Sequence, residues 1–326
     1  MKLIRQLTAA ALAAAMLLAG CAGNTNDSKS TGDSASAGGV PMLWKVQGDK
    51  GNVMYLFGSI HAGDKRTDDV LESLSGKLEE CDTLAVEYDF VAYEKDEAAQ
   101  LQDIQRMMYT DGTNVKQHMK PELYEKAVNY LKDADCYDEL YNDYNLGFWL
   151  SLLQQIAVSK TAFEPSEAMD FKLINYAYEH KLAIAEVESA EFQKSKLNDL
   201  SDDLLNLQLQ AFFKTKKYYT ATLNEMYEAW LSGDAAKLAE LTDDDYSWLS
   251  DDQKKLLEEY QKTMYTGRNL GMAGKAEELL KSGKNVFFSV STSHFLGDDG
   301  IIKLLENKGY QVEKIQWLYN KCWGNK

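Results

Sequence analysis

Three apolar runs in this chain of 326 residues carry, at or near their ends, a side chain able to bind a metal or move a proton. "VMYLFGSIH" closes on His61, "TLAVEYD" carries Glu87, and "VFFSVSTSH" closes on His294. The chain has only four histidines, so two of them in this position form a pattern. In open α/β sheets helices cover both faces, and functional groups gather at the rim left exposed at the C-terminal strand ends. If the three runs are parallel neighbours, two imidazoles and a carboxylate meet at that rim. Such a set can hold Zn²⁺, Mn²⁺ or Co²⁺ with a position open for water. The ion would lower the pKa of that water and polarise a substrate carbonyl. One strand-end histidine alone is more often structural than a ligand; three coincident ends put a shared site level with the structural reading. A fourth run, "LAIAEVES", sets Glu186 and Glu188 two apart and so on one face of a strand.

The elements that must position these groups follow from periodicity. "MLWKVQGDKGNVMYLFGSIH" reads as a β-hairpin punctuated by Gly48 and Gly51. "DDVLESLSGKLEECD" puts Val70, Leu71, Leu74 and Leu78 at helical spacing, and the strand "TLAVEYD" follows, so a helix crosses between parallel strands. From Phe90 to about Tyr178 the pattern is helical: "PELYEKAVNYLKDA" starts with Pro121 at a first-turn position, and "NLGFWLSLLQQIAVSK" is a core helix. Further helices precede the strand "NVFFSVSTSH", the helix "GDDGIIKLLENKG" and a last strand "YQVEKIQWL". The order predicts an α/β fold whose central mixed sheet is built from N- and C-terminal segments, with a large helical insertion. His118 and His180 sit in polar helical settings and read as surface residues. Phe148, Trp149, Tyr218, Tyr219 and Trp230 fall at helical spacing, which core packing explains, with an aromatic-lined cleft as the alternative.

The first twenty residues are not part of this fold. Lys2 and Arg5 precede an Ala/Leu-rich core too short to span a membrane, and Leu18-Ala19-Gly20 lead into Cys21. This is the lipobox pattern of a bacterial lipoprotein signal peptide (1–20), with Cys21 acylated as the new N-terminus. Residues 21–40, small and polar, read as a flexible tether, and the globular domain occupies 41–326. The expected location is the extracytoplasmic face of the cell membrane, held there by lipid on Cys21. Removing Lys2 and Arg5 with the signal takes the formal charge from −16 to −18. So acidic a surface repels phosphate backbones, which excludes nucleic acid as a partner. Cys81, Cys136 and Cys322 remain, without a CxxC pair, and one disulfide among them is open.

The blocks "LWKV…GNVMYLFGSIHAG", "LAVEYD", "AMDFKLINYA…LAIAEVESAEFQ", "GRNLGMA" and "VFFSVSTSHFLGDDGIIKLLENKGYQVEKI" resemble, in this order, the TraB/GumN family, which includes the Tiki membrane-tethered proteases. The likeness runs from about Leu43 to Ile315. Gly58-Ser59-Ile60-His61 is similar to the first of the family's two GxxH motifs, and Glu87 to its acidic position. Asp170, Glu188 and Gln193 fall in its middle segment, and Arg268-Asn269 match its Arg-Asn pair. The second motif departs, reading Ser291-Thr292-Ser293-His294 with serine in place of glycine. The resemblance implies a divalent-metal peptidase acting on peptide or protein, with His61, Glu87 and His294 as ligands.

Glu188 then stands as candidate general base or further ligand, and Arg268 as anchor for a substrate carboxylate or an oxyanion. A structural salt bridge is the alternative for Arg268. Asp170 and Asn269 are read as groups that orient the ligands, with helix capping as the alternative. Three readings stay open: the metal-dependent hydrolase, a non-catalytic metal- or ligand-binding lipoprotein on the same fold, and a metal-free hydrolase using His61 and Glu87.

Overall fold

The structure is a computed structural model and describes residues 42–198, 200–242 and 247–315. The signal peptide, Cys21, the tether, Cys322 and the run beyond Ile315 lie outside the described residues. Among the described residues no helix is long and apolar enough to cross a membrane.

The expected hairpin forms from β1 (Leu43–Gln47) and β2 (Val53–Ser59), paired antiparallel from Leu43↔Phe57 to Gln47↔Val53. Its turn requires Gly51, whose φ of +82° lies in the left-handed region that glycine occupies without penalty. Helix α1 (Arg66–Leu78) buries Val70, Leu74 and Leu78 and leads to β3 (Thr83–Val86). Pro121 does occupy the first turn of its helix, Pro121–Lys132. The strongly apolar α2 (Leu146–Ser159) buries Phe148, Trp149 and Leu153. Then come α3 (Met169–His180), β4 (Ala183–Glu186), α4 (Ala190–Asn198), α5 (Asp202–Thr215) and α6 (Tyr219–Ser232). The chain returns to the sheet through α7 (Gly267–Ser282), β5 (Val286–Ser291), α8 (Ile301–Asn307) and β6 (Val312–Lys314).

The sheet has six strands in the order β4-β3-β5-β2-β1-β6, so the fold is α/β with a mixed sheet. β4, β3, β5 and β2 run parallel, while β1 is antiparallel to both β2 and β6. The C-terminal strand β5 thus inserts between the two N-terminal strands β2 and β3, and all six of its residues are buried. Leu56, Phe57, Leu84, Phe287 and Phe288, each fully enclosed, form the centre of the core. The helical insertion is fastened to this centre by Trp230, whose indole N–H donates to the Gly58 carbonyl at 2.8 Å. Phe148, Trp149, Tyr219 and Trp230 are core residues, whereas Tyr218 is exposed.

One sequence expectation changes in detail. His180 is exposed, but His118 is half-buried: it stacks on Tyr109 at 4.1 Å and bonds Thr113 and Asp202 through its two nitrogens. It is a satisfied structural histidine, not a surface one. Among the described residues, which do not include Cys322, Cys81 and Cys136 form no disulfide.

Candidate active site

Parallel pairing fixes where the strand ends meet. β2 and β5 keep register to their last residues, Ser59 opposite Ser291, and β3 reaches Val86 opposite Ser289. His61 therefore follows one neighbour of β5, Glu87 the other, and His294 leaves the centre. The short helical turn Thr292–His294 is knitted to β2 by Thr292, whose hydroxyl donates to the Ser59 carbonyl at 2.9 Å. This explains Gly58: a Cβ there would lie 2.7 Å from Thr292 Oγ1 and 3.0 Å from Met42 Cβ. The glycine is needed for close approach of the two motifs. The serine in the second motif meets no such demand, since Ser291 has φ −51° and its backbone N–H, not its side chain, reaches Glu87.

Each imidazole is oriented through its Nδ1. On the His61 side, the loop after β2 is clamped to the start of α3: Met169 N–H donates to Ile60 C=O at 3.2 Å, and Glu164 N–H to Gly63 C=O at 2.9 Å. That brings Asp170, in the first turn of α3, to 2.8 Å from His61 Nδ1. A carboxylate only accepts, so the proton sits on Nδ1. Ser59 Oγ donates to the other Asp170 oxygen and fixes the carboxylate. On the other side, His294 Nδ1 lies 2.6 Å from Asn269 Oδ1. The Asn269 amide is oriented by its own Nδ2–H, which donates to the Asp299 carbonyl at 2.9 Å. His294 Nδ1 is thus the protonated nitrogen.

The opposite nitrogens carry the site. His61 Nε2 and His294 Nε2 are both buried and have no hydrogen-bond partner among the described residues. Leaving a buried polar atom unsatisfied costs about 1–3 kcal/mol, so such atoms are rare in stable folds. Two in adjacent strand-end turns, each on a ring pinned by a side-chain oxygen, is the arrangement of imidazoles prepared for a ligand. His294 is completely enclosed and the His61 side chain is 15% exposed, so approach is from the His61 side.

Glu87 is held beside them by a buried charge cluster. Its Oε1 accepts from Ser291 N–H at 2.8 Å, and its Oε2 from Gln193 Nε2 at 2.7 Å and Arg268 Nη2 at 3.1 Å. Arg268 also donates through Nε and Nη2 to Glu188, the shortest contact being 2.7 Å, and Gln193 Nε2 reaches Glu188 at 2.9 Å. All three charged side chains are under 10% exposed. Arg268 and Asn269 follow a π-helical turn, Lys262–Thr266, the kind of bulge that re-aims side chains at functional sites. Tyr265 in that turn places its ring 5.8 Å from that of His294.

These contacts set the charges. Burial pulls the His61 pKa down, but the Asp170 carboxylate, with help from Glu87, outweighs it and raises the value to about 9. Burial and then Arg268 push His294 down to about 3, so that ring is neutral. Burial pushes Glu87 up, yet Arg268, the two imidazoles and the Ser291 N–H more than offset it and leave the carboxyl at about 2. Glu87 is a permanent anion between one readily charged ring and one neutral ring.

The predicted residues His61, Glu87, His294, Asp170, Asn269, Glu188 and Arg268 are thereby linked by these contacts, strand registers and electrostatic couplings. Arg268 sits in the salt bridge that the sequence left open as its alternative role. Among the described residues no three His, Cys, Asp or Glu side chains are arranged to hold an ion as they stand. Imidazole nitrogen is a donor that divalent zinc, manganese or cobalt accepts, and the two unpartnered Nε2 atoms are of that type once His61 has lost its second proton; Glu87 supplies charge, and to coordinate it would have to release a contact. Sequence reasoning gave no role to Ser59, Gln193, Tyr265 or the Ser291 N–H. Gln193 carried a signal in its place in the middle segment, and Ser59 and Ser291 in their places in the two motifs.

The model of the TraB/PrgY/gumN family matches residues 42–314. No curated protein matches the chain, and no solved structure does.

Proposed function

The chain belongs to the TraB/PrgY/gumN family, and from that premise we propose that it is a metal-dependent peptidase, anchored by lipid on Cys21 at the extracytoplasmic face of the membrane. The observation that carries the reading is the pair of buried, unpartnered Nε2 atoms on His61 and His294. A divalent ion there, Mn²⁺, Co²⁺ or Zn²⁺, would lower the pKa of a bound water and polarise the scissile carbonyl.

The chain's own residues do the rest. Asn269 holds the neutral His294 ring with its proton on Nδ1 and Nε2 free for the ligand, and Asp170 does the same for His61 once that ring has given up its Nε2 proton. Glu87 adds a fixed negative charge that favours a cation, and Arg268 with Gln193 fixes its carboxylate. Glu188 anchors Arg268 from the other side, and serves as base only by loosening that pair. The full enclosure of His294 keeps bulk water from one side of the site and strengthens the local field.

One observation favours the non-catalytic alternative: Glu87 and Glu188 are both engaged by Arg268, and a binding protein needs no free base. Peptide-library cleavage by the full chain, purified without chelator, separates the two. The peptidase reading predicts products that vanish in His61→Ala and on exhaustive chelation. Products unchanged in His61→Ala, or surviving chelation, would overturn it; a bound metal without products would leave the binding protein.

A further inference from the structure

The turn that carries His61 is fastened on two sides. On the α3 side its Ile60 and Gly63 carbonyls accept from the Met169 and Glu164 N–H groups. On the other side it meets α6, in the helical insertion. Trp230 Nε1–H donates to the Gly58 carbonyl at 2.8 Å. One helical turn earlier, Tyr227 Oη donates to Asp64 Oδ1 at 3.0 Å and accepts from the Asp64 N–H at 3.3 Å. Gly58 and Asp64 lie three residues before and three residues after His61. The two rings of α6 brace each other, stacked with centroids 5.8 Å apart, and both are fully buried.

Core packing alone would be served by phenylalanine at both positions. Tyrosine and tryptophan each add a polar group that needs a partner once buried. Both find that partner on a residue flanking His61. Burial pushes the Asp64 carboxyl up, but Arg66 and then Tyr227 more than offset it and hold it below its ordinary value. Asp64 is therefore an anion, which can only accept the phenol hydrogen. The Arg66–Glu228 pair across the same junction is solvent-exposed and adds little. That leaves the buried phenol as the main tie between Asp64 and α6.

A ligating group must be held to about 0.5 Å of its productive position, and the groups behind it do the holding. We propose that Tyr227 is a positioning residue for His61: through Asp64, and together with Trp230, it lets α6 set where the His61 turn presents Nε2. The consequence for metal affinity rests on the metal reading above; the clamp itself does not.

Tyr227→Phe keeps the ring packing and removes only the tie. Leu131→Ala is the control, a cavity in the helix Pro121–Lys132, which lowers global stability without touching a residue of the site. Amide hydrogen exchange on the full chain without metal reads the turn through the Met169 and Glu164 N–H groups, which donate to the turn and not to Tyr227. In Tyr227→Phe both exchange about tenfold faster, the factor that one lost hydrogen bond is worth. Calorimetric titration with Zn²⁺ shows binding about tenfold weaker, the low end for a residue behind a ligand. Leu131→Ala melts earlier, yet keeps the parent's exchange at both amides and its zinc affinity. The proposal is overturned if both amides exchange in Tyr227→Phe as in the parent, if they accelerate as much in Leu131→Ala, or if Tyr227→Phe binds zinc as tightly as the parent. The exchange arm needs no metal, so a parent that binds no zinc removes the metal reading while the clamp is still decided.

Discussion

Replacing Arg268 by methionine removes the cation that Glu87 and Glu188 share. In the parent, Arg268 is 3% exposed and contacts Glu87 and Glu188, which are 8% and 7% exposed. Removing one partner of a buried pair costs roughly 3–5 kcal/mol, because the other charge stays buried without compensation. Here two anions are left, joined through Gln193, so the upper half of that range applies. At about 2 °C per kcal/mol for a chain of this size, the melting temperature falls by roughly 8–10 °C. The loss also has a pH signature. With Arg268 present, Glu87 is depressed from 4.5 to about 2, so its contribution is complete above 4.5 and fades as pH falls through 2. Without Arg268 the largest opposing influence to burial is gone, and the carboxyl rises from about 2 towards or beyond its unfolded value. The variant takes up a proton at higher pH than the parent, so the difference between them narrows as pH falls. Urea unfolding at about pH 7 and about pH 4 reads both effects. Restoration by the double variant Arg268→Met, Glu188→Gln locates the cost in the leftover charge. A difference below about 1 kcal/mol at neutral pH, or one that does not narrow in acid, refutes the cluster as a buried ion pair.

Asp170→Asn removes the acceptor that holds His61 protonated, and burial then dominates, so the His61 pKa falls from about 9 to below its ordinary 6.5. In the parent, the stability from this raised pKa is complete below 6.5 and disappears as pH rises through about 9; in the variant that alkaline loss is gone. Proton NMR titration of the ring and unfolding across this window check both. Gly58→Ala forces a methyl against Thr292 Oγ1 and Met42, and should cost about 1–3 kcal/mol by overpacking. If calorimetry shows no loss, the close approach of the two motifs is not what the glycine provides.

Much of the fold was readable because its signals are local. The spacing of Val70, Leu74 and Leu78 marks α1, Pro121 marks a helix start, and the glycines of the first turn mark the hairpin. What strand periodicity does not encode is the partner. Nothing in "VFFSVSTSH" says that it inserts between β2 and β3, yet that insertion puts the His294 turn between the other two strand ends. The site's side-chain contacts were harder still. Arg268 beside a substrate and Arg268 beside Glu188 have the same sequence, and only long-range packing, across 80 residues, selects the ion pair. The π-helical turn before it is invisible to a 3.6-residue period. His118 was misplaced for a similar reason, since its burial comes from Tyr109 and from Asp202 on a distant helix.

Titrating Zn²⁺ or Mn²⁺ into the full chain by calorimetry, in buffers of differing ionisation enthalpy, tests directly whether His61 Nε2 and His294 Nε2 share a metal ion. The prediction is one ion per chain, bound with release of a proton near neutral pH because His61 must give one up, and lost in His61→Gln and in His294→Gln. Saturable binding that both glutamine variants retain, or no binding at all, would contradict it.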